Sequence, residues 1–336
     1  MRRLTTVQGI NLTKWLSRNE QVDKIFKKGY EEYDKQKTFG RKISYKDWKR
    51  RFLVWILFYL SEIESLLFFI QKLNENAGQR RKLGFKKEIK YKSIWNFRRS
   101  IDIHTFNKII ILCVNLLQKR GIIGKNHVID GVIIESYANA IKGKDIDAKW
   151  GYDVKGFTFG YKMLALIDLK SSIIIGFIAL PANVHDVKHA KKLIEKYCNE
   201  IGIENIIGDK GFDSMPLRQF ITAKGLGAAI IFRKNRNVDE NQTTLKSKFK
   251  EKEYEYVLEV LTRMSKEKFY SLTKKRKEAE LGFARGKAYF HLNSFRSFGI
   301  INAAKHFAFS ILSQLLYALF YFKKGVKALN RPSVFF

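Results

Sequence analysis

Two short apolar runs, His127-Val128-Ile129-Asp130-Gly131 and Ile206-Ile207-Gly208-Asp209, decide the fold of this chain. Each run is rich in β-branched residues and ends on an aspartate, which predicts a buried strand that opens into a loop at the carboxylate. A third carboxylate, Glu280, lies in a segment with helical spacing, Arg276-x3-Glu280-x6-Lys287. Three carboxylates from three distant segments can together hold two divalent metal ions around one phosphate.

The elements around these runs predict an α/β sheet flanked by helices. Predicted in chain order are a strand over 127–134, a hairpin of strands 161–169 and 172–180, a helix from Asp186, a strand over 204–208, a helix over 214–224 and a strand over 228–232. Residues 135–157 are polar and predicted to be irregular. A hairpin followed by alternating strands and helices is typical of a sheet that is antiparallel at its start and parallel after it.

The first 125 residues predict a separate helical and strongly basic region. Ser44 is a candidate N-cap for a helix that enters at Tyr45 and continues to about Asn74. A further helix is predicted to begin at Ser93, with Ile94, Phe97 and Ile101 on its inner face. On that prediction Arg98 and Arg99 point outward, next to the basic stretch 79–90, and are either DNA contacts or an outward basic pair that only adds charge.

The charge balance predicts a polyanionic partner. Lys and Arg number 64 against 32 for Asp and Glu, a net charge of +32, while hydrophobic residues make up 46% of the 336 residues. This composition supports a folded core and disfavours disorder. The basic residues recur along the whole chain and are not gathered beside one amphipathic helix, so nucleic acid is favoured over an anionic membrane.

Two apolar stretches resemble membrane spans in length only. Residues 52–70 include Ser61, Glu62 and Glu64, and residues 300–322 include Lys305 and His306. Because charges in the middle of a span are costly in lipid, both stretches are predicted to be buried helices, with no membrane as a partner. Two cysteines, Cys113 and Cys198, have no CxxC or histidine at zinc-ligand spacing and are predicted to be reduced core thiols.

Four blocks carry a family resemblance. They are Asp145-Ile146-Asp147-Ala148-Lys149-Trp150-Gly151, Phe159-Gly160-Tyr161-Lys162, Pro181-Ala182-Asn183-Val184-His185-Asp186 and Gly208-Asp209-Lys210-Gly211-Phe212-Asp213-Ser214. In this order, over roughly residues 80 to 320, the chain resembles the prokaryotic insertion-sequence DDE transposases, which have an RNase H-like catalytic domain. The resemblance implies that the first and fourth strands lie side by side, so that Asp130 and Asp209 are neighbours at one edge of the sheet.

The same resemblance implies the site residues. Asp130, Asp209 and Glu280 would be the catalytic and metal-binding carboxylates. By helical spacing, Arg276 lies one turn before Glu280 and Lys287 two turns after it, and both are either phosphate contacts beside the metals or helix-face charges in solvent. The family signature is Tyr-x2-Arg-x3-Glu-x6-Lys, and Thr273 stands at its tyrosine position. Glu278 is the alternative third carboxylate. Mg²⁺ is the expected cofactor, as two ions for which Mn²⁺ can substitute, because it prefers hard oxygen ligands.

Four further residues carry more than one interpretation. Lys162, at the start of a strand, is either a phosphate contact or a solvated strand end. His185 and Asp186 are either an acid–base pair or the N-terminal cap of a helix, and capping is favoured. Asp213 is predicted to cap the next helix. His127 is expected to pack beside the site without binding metal.

The expected function is a transposase that binds the ends of an insertion sequence and catalyses metal-dependent strand cleavage and strand transfer. The alternatives are a non-catalytic, sequence-specific DNA-binding relative and a nuclease of RNase H-like fold. The expected partners are double-stranded DNA with terminal inverted repeats, target DNA and a second copy of the chain on paired ends, in the cytoplasm at the nucleoid. The predicted division is a DNA-binding region 1–125, a catalytic domain 126–322 and a basic tail 323–336.

Overall fold

The structure is a computed structural model that describes residues 12, 14–37, 42–138, 145–153, 156–233 and 251–321. Among the described residues, 14–18 are helical, and six further helices precede the sheet. They are α1 (Glu20–Gln36), α2 (Tyr45–Leu60), α3 (Leu66–Glu75), α4 (Ala77–Lys82), α5 (Tyr91–Ser100) and α6 (Ile103–Lys119). The predicted basic tail lies outside the described residues.

The six strands alternate with helices in the rest of the chain. The strands are β1 (Asn126–Glu135), β2 (Lys149–Asp153), β3 (Gly156–Asp168), β4 (Ile174–Pro181), β5 (Asn205–Gly208) and β6 (Gly227–Ile230). The helices are α7 (Asp186–Cys198), α8 (Met215–Ala223), α9 (Glu251–Thr262), α10 (Lys266–Lys274), α11 (Glu280–Tyr289) and α12 (Ile300–Tyr321), with short 3₁₀ helices at Lys210–Phe212 and Lys275–Ala279.

The sheet is mixed, as predicted. β3 pairs antiparallel with β1 along one edge and with β2 and β4 along the other, and β1 and β5 are parallel, as are β5 and β6. The first and fourth strands of the predicted order, β1 and β5, therefore lie side by side. The predicted mixed sheet flanked by helices, preceded by a helical region, is confirmed.

Helix α12 links the N-terminal helices to the sheet. It packs on α6 and α2 from one side and on β4 from the other. Phe307 meets Phe177 of β4, and Phe309 meets Phe52 of α2 and Phe106 of α6. α12 is the one helix of the described residues that is by itself long and apolar enough to cross a membrane, and 94% of its most apolar window is buried inside the protein. This agrees with the predicted core helix, and one hydrophobic core therefore extends from α2 to the sheet.

The long helix predicted from Tyr45 to Asn74 is two helices. Ser44 caps α2 as expected, accepting from the Asp47 amide at 3.2 Å. The helix ends at Leu60, where the Ser61 hydroxyl donates to the Phe58 carbonyl oxygen at 2.8 Å, and Ser65 caps α3. Serines at both ends of a short break satisfy the backbone groups that would otherwise continue the helix.

The prediction that Arg98 points outward is wrong. Helix α5 begins at Tyr91 with Lys90 as N-cap, and Arg98 is 6% exposed. Since Arg98 follows Ile94 by four residues, it lies on the same buried face of the helix. Its guanidinium lies over the rings of Trp55 and Trp95 and donates to the Asn302 carbonyl oxygen at 3.0 Å. Arg99 is exposed, as predicted.

Candidate active site

The register between β1 and β5 positions the two aspartates. Val128 pairs with Ile207, and continuing that parallel register by two residues on each strand brings Asp130 opposite Asp209. Residues opposite one another in neighbouring strands lie on the same face of a sheet. Because β5 ends at Gly208, Asp209 leaves the strand there and caps the 3₁₀ helix Lys210–Phe212, accepting from the Gly211 amide at 2.7 Å.

Asp130 is held in an environment that resists its ionisation. Its pKa is raised to about 6, first by burial and then by the charges of Asp209 and Asp186. The Gly131 amide, which donates to Asp130 Oδ1 at 2.8 Å, and the nearby Arg276 guanidinium act in the opposite direction. A carboxyl with few donors and a second carboxylate next to it is a site that needs a cation.

Hydrogen bonds from Arg233 and Arg218 hold the loop that carries Asp209. Arg233 donates from its guanidinium to the carbonyl oxygens of Lys210 at 2.6 Å and Gly211 at 2.8 Å, and from its amide to Asp213 at 2.6 Å. Asp213 also accepts from Arg218 Nε at 2.9 Å. This network fixes the Asp209 loop to β6 and α8, and sequence reasoning did not identify it.

The prediction that Asp213 caps helix α8 is wrong. The N-cap is Ser214, without a side-chain capping bond. Asp213 instead pairs with Arg218, which is 1% exposed and also donates to the Ile230 carbonyl oxygen at 2.7 Å. A buried guanidinium requires such a carboxylate, and this requirement outweighs an exposed capping bond.

Glu280 lies at the start of α11, on the Asp130 face of the sheet. A Cβ at Gly282 would lie 2.8 Å from the Ser172 carbonyl oxygen and 3.0 Å from Ile167, so α11 closely approaches the β3–β4 turn. Ile167 follows Ala165, the partner of Asp130, by two residues. The side chain of Glu280 is 63% exposed, and its Oε1 lies 3.9 Å from Arg276.

In this arrangement Glu280 does not complete a metal cage with the aspartates. Across the described ranges, no group of three or more His, Cys, Asp or Glu side chains is close enough to hold a metal ion. The Asp130–Asp209 pair itself suits a hard divalent cation, because both groups are oxygen donors of like charge at one edge of the sheet. The Arg276 guanidinium interacts with both groups: it is ion-paired with Glu280, and its charge lowers the pKa of Asp130.

Lys162 is not a solvated strand end, and its alternative interpretation as a phosphate contact stays a prediction. Lys162 pairs with Ile133 in register and so points to the face opposite Asp130. Its Nζ is 2.9 Å from Asp186 and donates to the Val184 carbonyl oxygen at 2.7 Å. A lysine that is 15% exposed and held by two partners stabilises the start of α7.

Asp186 plays a different role from either alternative considered for it. His185 is the N-cap of α7 but makes no side-chain capping bond, and Asp186 occupies the first turn. A Cβ on Gly131 would lie 2.7 Å from the Asp186 carboxylate, so this glycine permits the helix to approach β1 beneath Asp130. The block Ala182-Asn183-Val184-His185-Asp186 was a signal for this contact, but it did not indicate which face of the sheet it lies on.

The three remaining candidate residues are His127, Lys287 and Glu278. His127 is fully buried, with Nδ1 3.7 Å from Asp168, and burial lowers its pKa so that it is neutral at pH 7. Lys287 is partly buried in the last turn of α11. The side chain of the alternative carboxylate Glu278 lies outside the described residues.

This chain is similar to known proteins in both sequence family and structure. The family model "Transposase DDE domain" matches residues 127–316, more than half of the chain. The chain belongs to the DDE transposase family. A solved structure, the cryo-EM structure of the piggyBac transposase synaptic complex with hairpin DNA, is similar over 98% of this chain and 81% of that chain, with 13% identity and a TM-score of 0.48. No curated protein matches the transposase. The family assignment agrees with the resemblance found in the sequence.

Proposed function

We propose that this transposase cleaves and joins DNA at the ends of an insertion sequence, with Asp130, Asp209 and Glu280 as its catalytic carboxylates. The observation that supports the proposal is the β1–β5 register, in which Val128 pairs with Ile207 two residues before each aspartate, together with the effect of the Asp209 charge on the pKa of Asp130. The membership of the DDE transposase family supports the same chemistry. The expected partners are DNA with terminal inverted repeats, target DNA and a second copy of the chain, in the cytoplasm at the nucleoid.

Asp130 and Asp209 would hold Mg²⁺ or Mn²⁺, as two ions, and Glu280 would be the third ligand. Such ions activate the attacking oxygen and stabilise the leaving one. Water as the attacking group gives strand cleavage, and a free 3′-hydroxyl gives strand transfer. Because only the attacking oxygen differs, one site can serve both reactions.

Arg276 is proposed to release Glu280 when DNA binds. Without DNA, its guanidinium neutralises Glu280 and acts on Asp130. A DNA phosphate is a stronger partner for a guanidinium than an exposed carboxylate, because the contact is charge-assisted and often bidentate. When Arg276 moves to the phosphate, Glu280 is free to turn towards the aspartates, and Lys287 contributes a second phosphate contact on the same helix.

The direct test is cleavage of DNA that carries the inverted repeats flanking the gene. We expect product with Mg²⁺ or Mn²⁺, no product in EDTA, and no product from Asp130→Asn, Asp209→Asn or Glu280→Gln, while all three variants still shift the DNA in a gel. Full-rate cleavage in EDTA would contradict the metal-dependent mechanism.

Glu278→Gln is the matched control for the third carboxylate. It removes the same charge two residues away in sequence. Activity lost in Glu278→Gln and kept in Glu280→Gln would move the assignment to Glu278 and leave the aspartate pair intact.

A further inference from the structure

The β2–β3 hairpin presents aromatic side chains to solvent. Trp150 pairs with Phe159 and Tyr152 with Phe157, so all four rings lie on one face of the two-stranded ribbon. The rings touch in pairs, with centroids 5.6 Å and 5.2 Å apart. Trp150 is 55% exposed, Tyr152 72% and Phe157 75%. We call these four residues the aromatic face.

On the opposite face of the hairpin, Gly151 packs against the protein: a Cβ there would lie 2.6 Å from the Ala182 carbonyl oxygen and 2.7 Å from Ile133 Cδ1. The hairpin therefore packs through a glycine and leaves the rings of Trp150, Tyr152 and Phe157 outside, while Phe159 is partly buried against the hydrophobic core. Burying apolar area is the main source of stability, so contiguous exposed rings mark an interaction surface.

The base of the hairpin is fixed to the start of α12. Asp145 accepts from Ser136 Oγ at 2.8 Å, from the Tyr161 hydroxyl and from the Gly299 amide at 3.2 Å. Asp147 accepts from the Ile300 amide at 3.0 Å. Two carboxylates thus anchor the segment that leads into β2, so the aromatic face has a set position relative to the sheet.

The aromatic face lies on the same side of the sheet as the proposed active site. Asp130 pairs with Ala165 of β3, and alternation places Ala165, Phe159 and Phe157 on one face of that strand. At about 3.3 Å per residue, Phe159 is about 20 Å from Ala165 along β3. At about 3.4 Å per nucleotide, this distance corresponds to about six nucleotides of a DNA strand.

We propose that the aromatic face stacks on unpaired bases of the DNA whose end occupies the Asp130–Asp209 site. This inference rests on the proposed function. Unpaired bases expose flat rings that stack on aromatic side chains regardless of sequence. A second copy of the chain is disfavoured as the occupant, since each copy carries a net charge of +32, whereas DNA is a polyanion. Lys149, the exposed neighbour of Trp150 on the opposite face of the hairpin, adds a positive charge to this ribbon.

The test compares two DNAs in EDTA, where binding is measured without cleavage and independently of the metal site. Fluorescence anisotropy follows the full chain on a blunt duplex and on the same duplex with a single-stranded thymidine overhang. We expect Tyr152→Ala to weaken binding to the overhang DNA by about fivefold to 100-fold, the range measured for loss of one stacked base. Binding to the blunt duplex should change by less than about twofold.

Two further variants separate stacking from structure and from general apolar surface. Tyr152→Trp keeps a flat ring and should retain the affinity for the overhang. Tyr256→Ala removes a ring that is 71% exposed on α9, away from the hairpin, and should leave both DNAs unaffected.

Equal losses on both DNAs with Tyr152→Ala would overturn the proposal. The proposal would also be overturned if Tyr152→Ala changed the oligomeric state of the free protein in light scattering and left its DNA affinity unchanged. That result would assign the aromatic face to contacts between copies of the chain. Loss of cleavage in Asp130→Asn with normal overhang preference would leave the stacking proposal standing, so the two proposals can fail separately.

Discussion

Charged groups are placed in opposite ways in the helical core and at the sheet edge. In the core, Arg98 and Lys305 are buried among rings and carbonyl oxygens, and Lys305 donates to the Arg99 carbonyl oxygen at 2.8 Å. At the sheet edge, Asp130 and Asp209 are of like sign and lie side by side. The two core cations donate to carbonyl oxygens within the protein, whereas the two edge carboxylates suit a bound cation.

The difference teaches how to separate structural from functional charge. Burial lowers the pKa of Lys305 to about 8, yet its partners are the last carbonyl groups of α5, where a cation is favourable. Burial and neighbouring carboxylates together raise the pKa of Asp130 to about 6. A perturbed pKa and like-charged neighbours are common to both regions, so the hydrogen-bond partners are the distinguishing observation: Lys305 donates to two carbonyl oxygens, whereas Asp130 accepts from the Gly131 amide.

The largest expected effect is on chemistry at the edge. Asp209→Asn keeps the shape of the side chain and the capping acceptor for Gly211, but removes a charge that would hold metal. We expect cleavage of end-bearing DNA to fall by about 1,000-fold or more, since several kcal/mol of transition-state stabilisation are lost. The circular dichroism spectrum should be unchanged. Cleavage by this variant at the parent rate would contradict a catalytic role for the Asp130–Asp209 pair.

The next effect is on stability in the core. Arg98→Ala leaves a cavity between Trp55 and Trp95 and an unpaired Asn302 carbonyl, and should lower the free energy of unfolding by about 2–4 kcal/mol. Arg99→Ala, on the exposed side of the same helix, should change it by less than about 0.5 kcal/mol. Urea unfolding of both variants compares the two positions directly, and equal effects would contradict the burial of Arg98.

A smaller effect of opposite sign is expected for Asp130→Asn. The native pKa of about 6 exceeds the ordinary value of 3.8, so the folded state binds the proton more tightly and loses stability as pH rises from about 4 through 6. Asparagine does not ionise, and the variant should be more stable than the parent by about 1–2 kcal/mol at pH 7. Denaturation of the parent and the variant at pH 7 and below pH 4 tests this. The gain in stability should disappear below pH 4, and a gain that persists there would have another cause.

The smallest effect concerns Arg99 as a DNA contact, which stays a prediction. If Arg99 neutralises one phosphate, Arg99→Ala should make the negative slope of log affinity against log salt shallower by about 0.9 and weaken binding severalfold. Competition between terminal-repeat and random duplex then distinguishes base contact from charge alone. Equal losses on both DNAs would show that α5 carries no sequence specificity.

Local rules predicted much of this molecule because they act over a few residues. The Ser44 cap and the β3–β4 hairpin each depend on short patterns, and the structure has both. Of the two predicted strand-end aspartates, Asp209 follows the end of β5, whereas Asp130 lies in the middle of β1, which continues to Glu135. The direction of Arg98 was mispredicted because residue type was weighed above helical position. Its spacing from Ile94 indicates the buried face.

Other features depend on distant parts of the chain and could not be predicted locally. Strand β2 was predicted to be irregular because its alternation is inverted: Trp150 and Tyr152 face solvent, and Gly151 faces the protein. The pairing of Arg276 with Glu280, and its effect on Asp130, depends on α11 reaching the sheet. No spacing rule indicates which of two carboxylates an arginine will neutralise.

The position of α12 has a consequence for synthesis of the protein. This helix supplies core contacts to α2, α6 and β4, yet it emerges from the ribosome after all of them. A nascent chain that stops before Ile300 exposes apolar surface on both halves of the molecule and is prone to aggregation. A frameshift or stop codon before Ile300 should therefore prevent folding of the protein, although it leaves Asp130, Asp209 and Glu280 unchanged.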